Sequence, residues 1–313
     1  MSETAEATRG RAATGAATQR SGEIRIGISG WRYAGWRGDF YPKGLRQRDE
    51  LAYAARHLDT IEINGTHYSL QRPESFARWH DETPQDFVFA VKGSRFITHL
   101  KQLRDCATPL ANFFAQGVLR LEQKLGPILW QFSPRFRFDA EKLDAFLRLL
   151  PRDTTAAAAL ARHHDHRLDG RAWTEAGKRR ALRHAVEIRH PSFLDPAFVR
   201  LLRRHNVALV FADTVDWPYA EDITADFVYV RFHGGEELYA SGYSDPELAE
   251  WARRILAWSA GGEPADAKLI DPGRRPRRRR RDVYVYFDND ALGRAPFDAQ
   301  RLRSMLRENP EVA

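Results

Sequence analysis

The chain has 313 residues, 43% of them hydrophobic, which is enough for one sizeable core or at most two small ones. Its single cysteine, Cys106, excludes an internal disulfide framework and any cysteine-rich metal site, and is typical of a reducing compartment. No apolar run approaches the roughly 18–20 residues of a membrane span, so we expect a cytoplasmic protein with no membrane partner.

The chain begins with residues 1–22, which contain no apolar block and therefore do not resemble a secretory signal. Glu3 and Glu6 count against an organelle transit peptide, which is normally poor in acidic residues. The small and polar composition of this segment predicts a disordered tail. We expect the remaining residues, 23–313, to form a single domain.

Short runs of β-branched and aromatic residues predict eight strands along this domain. They cover residues 24–30, 60–64, 87–92, 127–132, 184–189, 208–213, 227–234 and 283–289. Most are separated by stretches of helical periodicity, at 48–58, 73–80, 108–124, 139–150, 195–206 and 245–258. The connection that follows the sixth strand, residues 214–225, is too short for a full helix.

Strands that alternate with helices predict a parallel sheet, and eight such units in about 280 residues fit a single-domain α/β fold, the (β/α)8 TIM-type barrel. An open doubly wound sheet is the competing arrangement. It would favour a glycine-rich phosphate turn after the first strand, but the sequence there, GISGWRYAGW (27–36), has no G-x-G-x-x-G pattern. We therefore predict the barrel.

Alternate residues of a barrel strand face the helices and the barrel interior. In HAVEIR (184–189), Val186 and Ile188 suit the helix side, which directs Glu187 and Arg189 inward. The same reasoning predicts inward polar residues at the carboxyl ends of other strands, where barrel active sites lie. These residues are Glu62, Asn64, Lys92, Gln131, Asp213, Arg231 and His233. Buried charges of this kind must pair with one another or bind a ligand.

Seven stretches that follow one another between Ile24 and Asp290 form a recognisable set of motifs. They are GISGWRYAGWRGDFYP (27–42), DTIEINGTHYSL (59–70), FVFAVKGSRFITHLKQL (87–103), GPILWQFSP (126–134), AVEIRHPSF (185–193), VYVRFHG (228–234) and YVYFDND (284–290). Together they resemble the YecE-like family, also called domain of unknown function 72. The resemblance implies a TIM-type barrel and supplies no established reaction. His67 and Ser133 stand where many members of that family have Phe and a second Pro.

The polar strand ends favour an enzyme, either a hydrolase or an enzyme that acts on phosphoryl esters. Its expected ligand is anionic and carries phosphate, as a nucleotide or a nucleic acid does. Lys92, Arg189 and Arg231 would hold the anion, while His233, Glu187 and Glu62 are the catalytic candidates for proton transfer. Further ligand contacts are expected at the carboxyl face. They come from Asn64, Gln131, Trp31, Trp36, Tyr68 and Gly234, with the rings stacking and the glycine amide binding phosphate.

The sequence leaves several alternatives open. A metal-dependent sugar isomerase or epimerase would use Glu62, Glu187, Asp213 and Asp288 as ligands for a divalent cation. A non-catalytic barrel would only bind a ligand. The inward charges could also pair entirely with one another as a structural salt-bridge network. The aromatic residues of the first loop, finally, could cap the barrel as a small satellite core.

Two basic insertions, at about 152–183 and 261–282, account for the positive charge of the chain. Residues 152–183 and 263–282 each carry a net charge of +4, whereas the whole chain carries +7. Both insertions join a helix to the next strand, so we place them on the amino-terminal face of the barrel. We expect mobile, solvated loops, and the alternative is a polyanion-binding patch that includes Arg274–Arg281.

Overall fold

A closed barrel of eight parallel strands forms the centre of the molecule, and the computed structural model describes residues 22–235, 237–273 and 279–308. Neighbours in sequence are neighbours in the barrel, and β1 also pairs with β8 to close it. The strands are β1 (Ile24–Ser29), β2 (Thr60–Ile63), β3 (Val88–Lys92), β4 (Leu125–Gln131), β5 (His184–Glu187), β6 (Ala208–Asp213), β7 (Phe227–Phe232) and β8 (Asp282–Phe287). The predicted TIM-type barrel is confirmed, and the open sheet is wrong.

Helices pack around the outside of this barrel. They are α1 (Glu50–His57), α2 (Gly65–Tyr68), α3 (Pro73–Asp81), α4 (Ala107–Ala115), α5 (Ala140–Leu149), α6 (Thr154–Ala161), α7 (Pro196–His205), α8 (Asp245–Ser259) and α9 (Ala295–Arg307). A π-helical turn, Phe96–Leu100, follows β3. Residues 214–226, all of which are described, contain no helix, as expected after the sixth strand.

The single helix predicted over 108–124 is wrong, because the chain breaks after α4. Gly117 adopts φ +114°, and a 3-10 segment, Val118–Lys124, follows it. A Cβ added to Gly117 would lie 2.5 Å from Cα of Pro73, so the close approach of α3 requires glycine there. Helical periodicity continues through this point in the sequence, but the tertiary contact overrides it.

Replacing Gly117 with alanine is expected to lower the free energy of unfolding by about 2 kcal/mol, since both the positive φ and the contact with Pro73 oppose a side chain. Gly170→Ala is the matched control, because Gly170 has φ +72° but no atom within 4 Å of the added Cβ. That control isolates backbone strain, for which we expect about 1 kcal/mol. Urea unfolding of both variants measures the difference, and equal losses would contradict the contact argument.

Two separate hydrophobic clusters confirm the alternation of strand residues. The outer cluster, between strands and helices, includes Ile61, Val186, Ile188 and Phe232. The inner cluster fills the barrel and consists of Val88, Ala90, Leu129, Ala185, Ala208, Val210, Ala212, Ala225, Phe227, Tyr229, Tyr284 and Tyr286. The inner side chains are apolar or aromatic towards the amino ends of the strands and become charged at the carboxyl ends. This gradient places the polar residues at one mouth.

The insertions are more ordered than the sequence suggests. Residues 152–183 contain α6, which packs against α4 and buries Ala157 and Ala161. Arg281 is only 2% exposed and donates to the carbonyl of Gly262 at 3.3 Å. The prediction of a solvated arginine run is therefore wrong at this residue. The expected tail, residues 1–21, and residues 274–278 lie outside the described part of the chain.

No helix of the described ranges is both long and apolar enough to cross a membrane.

Candidate functional site

A buried network of charged side chains closes the carboxyl end of the barrel. At its centre is Arg231, which lies near the carboxyl end of β7 with its side chain directed into the barrel. It is 0% exposed. Its Nη1 donates to Oε2 of Glu187 at 2.6 Å, and its Nη2 donates to Oε1 of Glu62 and Oδ2 of Asp288, both at 2.9 Å. One guanidinium therefore joins carboxylates from β2, β5 and the end of β8, and we call these four residues the charged floor.

Neutral donors complete the hydrogen bonding of the charged floor. Glu62 accepts from the hydroxyls of Ser29 and Tyr229, each at 2.6 Å, in addition to Arg231. Glu187 accepts from Nε2 of Gln131 at 2.9 Å. Buried carboxylates satisfied in this way have little capacity left for a ligand, so Glu62 and Glu187 support the site rather than form a contact surface.

The positive charges of the site keep Glu187 and Asp288 ionised. Burial alone would raise the pKa of Glu187, but the guanidiniums of Arg231 and Arg189 hold it well below its usual range. The pKa of Asp288 is likewise lowered, since Arg231 outweighs its burial. Asp290 behaves in the opposite way, because burial and the charge of Asp288 raise its pKa well above the ordinary value. Glu187 and Asp288 are therefore bases without a proton to give at neutral pH.

A cavity of about 430 Å³ lies over the charged floor at the barrel mouth. It is lined by Tyr33, Asn64, His67, Tyr68, Lys92, Arg95, His99, Gln131, Arg189, Tyr239 and Asp288. One lysine and two arginines are among these residues, Lys92, Arg95 and Arg189, whereas Asp288 is the one carboxylate among them and is already paired with Arg231. The lining is therefore electropositive.

Arg189 is held rigidly at the edge of this cavity. Its Nε donates to Oε1 of Glu187 at 3.0 Å, and its Nη2 donates to the hydroxyl of Tyr239 at 3.3 Å. The guanidinium carbon lies 3.7 Å from the centre of the Trp217 ring, in a cation–π contact. Such an arrangement presents the remaining N–H groups of Arg189 in a fixed direction.

Two histidines in the cavity wall are neutral at pH 7. Burial, and then the charge of Lys92, lowers the pKa of His67 to about 3. Burial, and then the charge of Arg189, lowers the pKa of His99 to about 4. The Nδ1 of His67 lies 2.8 Å from the carbonyl oxygen of Gly93, which can only accept, so Nδ1 carries the proton and Nε2 keeps its lone pair.

The sequence profile of the family described as "Protein of unknown function DUF72" matches residues 25–313. The chain belongs to this DUF72 family. Among solved structures, a DUF72 protein of Thermotoga maritima MSB8 is 27% identical, with a TM-score of 0.68, and the match covers 91% of this chain and all of that one. A DUF72 protein of Enterococcus faecalis V583, 19% identical over 91% of this chain and 96% of its own, has a TM-score of 0.63 and shows the fold alone.

Two curated relatives match part of this DUF72 chain. UPF0759 protein YecE of Escherichia coli K12 is 32% identical over 123 residues, which are 35% of this chain and 43% of YecE. UPF0759 protein YunF of Bacillus subtilis 168 is 27% identical over 130 residues, which are 40% of this chain and 45% of YunF. The chain thus spans less than half the length of the curated relatives it matches.

Three expected catalytic residues of the DUF72 protein and one expected ligand contact, Arg231, lie beneath the cavity rather than in its wall. Glu62, Glu187, Arg231 and His233 are each 0% exposed and converge in the floor region, where Nδ1 of His233 lies 3.2 Å from Oδ2 of Asp288. Arg231 is not among the residues that line the cavity, and its Nη atoms donate to the protein's own oxygens. Arg231 therefore fits the alternative in which the inward charges pair with one another as a structural salt-bridge network.

The expected aromatic stacking residues are part of the hydrophobic core. Trp31 is 7% exposed and packs edge-on against Trp79, with ring centres 5.4 Å apart. Trp36 is 1% exposed and packs against Tyr33 and Phe40. The satellite-core interpretation is therefore correct for both tryptophans, because their large apolar surface is better buried under the loop than exposed at the mouth.

Gly234 does not present a free amide to the cavity. It has φ +96°, and its N–H donates to the hydroxyl of Tyr243 at 3.1 Å. The expected phosphate contact through this amide is thus replaced by a bond within the protein. Asn64, Gln131 and Tyr68, by contrast, line the cavity as expected, and Tyr68 is 68% exposed at its rim.

The inward orientation expected for Asp213 is wrong. Leu209 and Phe211 of β6 belong to the outer cluster, so Asp213, two residues further along, shares their side of the strand. It therefore does not join Arg231, and its pKa is raised by burial. The alternation of Leu209 and Phe211 predicts this outward side, whereas the polar character of Asp213 does not.

The expected metal ligands do not fit a metal ion. Within the part of the chain that the structure describes, no three histidine, cysteine or acidic side chains are grouped to hold one. Asp213 faces away, and the guanidinium of Arg231 lies between Glu62, Glu187 and Asp288, where a cation would have to bind. The metal-dependent isomerase hypothesis loses its site for this reason.

Sequence reasoning missed several residues of the site. Ser29 is on the inward side of β1, two residues after Gly27, and the alternation would have identified it. Tyr33, Arg95, His99 and Tyr239 come from loops whose path the strand pattern does not determine. No local signal distinguishes these loop residues from solvent-exposed ones, so they could be found only from the fold.

Proposed function

We propose that this DUF72 protein is an enzyme that binds an anionic, phosphate-bearing small molecule in the cavity at the barrel mouth. The observation that carries the proposal is the charge of the cavity wall. Arg95 and Arg189 face it with Lys92, and the carboxylate of Asp288 is already neutralised by Arg231. A guanidinium suits phosphate because its N–H groups match the spacing of the oxygens.

The dimensions and the neutral donors of the cavity support a small ligand. Its volume of about 430 Å³ falls within the range of roughly 300–1,000 Å³ usual for small-molecule sites. Asn64, Gln131 and the hydroxyl of Tyr239 supply polar groups around the same space. A sugar phosphate or a nucleoside monophosphate matches this combination of size, charge and hydrogen bonding.

The histidines of the wall supply the proton-transfer groups in this proposal. Neutral His67 and His99 are weak bases in the ligand-free site, because burial and nearby cations lower their pKa values. A bound phosphate would bring negative charge close to both rings and raise those values towards neutrality. Glu62, Glu187 and His233 are then positioning residues, which hold Arg189 and Asp288 in place from beneath.

Replacing Arg95 with glutamine is expected to weaken binding of a nucleoside monophosphate or ribose 5-phosphate about tenfold, the effect of losing one charged hydrogen bond. Arg95 is exposed, so the fold should not depend on it. Arg104→Gln is the matched control, since Arg104 is an exposed arginine nearby that does not line the cavity. Calorimetric titration measures both, and the fluorescence of Trp217, stacked on Arg189, provides a second signal.

Equal weakening by both arginine variants would attribute binding to general surface charge and contradict the proposal. The same holds if adenosine and ribose bind as tightly as their phosphates, or if no phosphate compound binds with a Kd of about 1 mM or tighter. Turnover assays on the phosphates that bind separate an enzyme from a barrel that only binds its ligand.

A further inference from the structure

Two lysines are buried in this barrel, and they differ in their partners. Lys124 is 3% exposed, and its ammonium donates to the carbonyl and hydroxyl oxygens of Thr83 at 2.8 and 3.2 Å and to the carbonyl of His80. Lys92 is 7% exposed and lines the mouth cavity. Its backbone carbonyl accepts from the hydroxyl of Thr66 at 2.7 Å, but its ammonium nitrogen forms no hydrogen bond or ion pair with any residue in the described ranges. A buried ammonium without a partner is costly, so a function should account for it.

The surroundings of Lys92 increase the fraction of its neutral amine relative to an exposed lysine. Burial, and then the charge of Arg231, lowers its pKa, while the carboxylates of Glu62 and Asp288 oppose this in part. A neutral amine has a lone pair, which makes it a nucleophile. The amine lies at the wall of a cavity large enough for a small ligand.

The other nucleophilic side chains near the cavity are less suitable. The hydroxyl of Tyr33 donates to the carbonyl oxygen of Ser29 at 2.6 Å, and burial raises its pKa far above the ordinary value. Burial likewise raises the pKa of Tyr239. Glu187 and Glu62 are bound within the charged floor. The imidazoles of His67 and His99 have lone pairs but cannot form an imine, so Lys92 is the lining residue whose primary amine can condense with a carbonyl group.

We infer that Lys92 forms an imine with the carbonyl carbon of a small anionic aldehyde or ketone bound in the mouth cavity. The inference rests on the proposed function for the place and the charge of the ligand, and it adds the class of substrate. Arg95 and Arg189 hold the anionic group, so that the carbonyl end can reach the amine.

The reaction needs only proton transfers. The nitrogen lone pair of Lys92 adds to the carbonyl carbon, and the π electrons move to oxygen, which takes a proton. The nitrogen loses its proton to a base, for which the Nε2 lone pair of His67 is available. The hydroxyl group then takes a proton and leaves as water while the C=N bond forms. No group is oxidised or reduced, and the imine activates the adjacent carbon for proton removal or carbon–carbon cleavage.

Reductive trapping of the wild-type protein tests this inference. The protein is incubated at pH 6.5 with sodium cyanoborohydride and glycolaldehyde phosphate, or with neutral glycolaldehyde, and the adducts are located by peptide mass spectrometry. The sequence has seven lysines, so each can be followed separately. Exposed Lys43 and buried Lys124 are internal controls. We expect Lys92 to be labelled at least tenfold faster than either, and faster by the phosphorylated aldehyde than by the neutral one.

The outcomes separate the inference from the proposed function. Labelling of Lys92 without preference for the phosphorylated aldehyde would support the imine and contradict the anion site. If inorganic phosphate binds with an affinity that depends on Arg95, but Lys92 is labelled no faster than Lys43, the imine is overturned. The anion site is then still supported. In Arg95→Gln, the preference for glycolaldehyde phosphate should be lost while labelling of Lys92 by glycolaldehyde remains. If Arg95→Gln abolished the labelling of Lys92 by both aldehydes, the position of Lys92 in the cavity wall would be contradicted.

Discussion

Replacing Arg231 with methionine is expected to lower the free energy of unfolding by about 3–5 kcal/mol, the usual effect of removing one partner from a buried ion pair. The variant would leave Glu62, Glu187 and Asp288 close together with no guanidinium among them. Burial alone would lower the pKa of Arg231, but the three carboxylates raise it well above the ordinary value, so the arginine is charged at every accessible pH. The carboxylates would take up protons or admit water instead.

Urea unfolding at pH 7.5 measures this loss, with Arg253→Met as the matched control. Arg253 also pairs with two carboxylates, Glu250 at 2.6 Å and Asp266 at 3.3 Å, but its side chain is half exposed. Exposed pairs contribute roughly 0–1 kcal/mol, so the control should change little. Adding Glu62→Gln to Arg231→Met removes one stranded charge and should recover part of the stability. Equal stabilities of Arg231→Met and Arg253→Met would contradict a structural role for the floor.

The barrel could be predicted from the sequence because two local signals agree along the whole chain. Val186 and Ile188 alternate with Glu187, and the structure places the first two under helices and the third inside. Each strand repeats this pattern, and helical periodicity fills most of the intervals. Strand alternation is a local steric property, so it survives in the sequence.

The different roles of the charged residues in the site could not be predicted in the same way. Alternation brings Arg231 and Lys92 to the same mouth, but it does not say how far each side chain reaches. Arg231 lies among three carboxylates, whereas the ammonium of Lys92 meets no partner in the described part of the chain. That difference depends on distances between strands that are far apart in sequence. A residue type alone cannot separate a structural cation from a reactive one.

Loop residues show the same limit. Trp36 and Tyr33 are three positions apart in one aromatic loop, yet the first is core and the second lines the cavity. Both are aromatic, and no periodicity applies in a loop. Their roles follow from the packing of that loop on neighbours such as Phe40 and from the hydroxyl of Tyr33, which reaches the carbonyl of Ser29. Only the folded chain contains this information.

His184 is expected to make the stability of the protein fall between pH 6.5 and about pH 4. It is the first residue of β5, on the same side of the strand as Val186, and it is 0% exposed. Its Nε2 donates to the carbonyl oxygen of Pro151 at 2.8 Å, and its Nδ1 accepts from Nε1 of Trp130 at 3.2 Å. Both ring nitrogens therefore make a hydrogen bond when the ring is neutral. A second proton at Nδ1 would break the bond from Trp130 and bury a charge.

Burial accordingly lowers the pKa of His184 to about 4, against an ordinary value of about 6.5 in the unfolded chain. Between these two values the unfolded state binds a proton that the folded state does not, so stability falls as the pH decreases. At about 1.4 kcal/mol per pH unit, the loss at pH 4.5 relative to pH 7.5 amounts to about 2–3 kcal/mol.

His184→Gln isolates this contribution, because a glutamine side chain offers one donor and one acceptor but does not titrate. His67 and His99, whose pKa values are also lowered, titrate equally in both proteins and cancel in the comparison. The difference in unfolding free energy between wild type and variant should thus move in favour of the variant by about 2–3 kcal/mol from pH 7.5 to pH 4.5. A difference that stays constant across this range would mean that His184 is not held neutral, and that its place against Trp130 and Pro151 is not the one described.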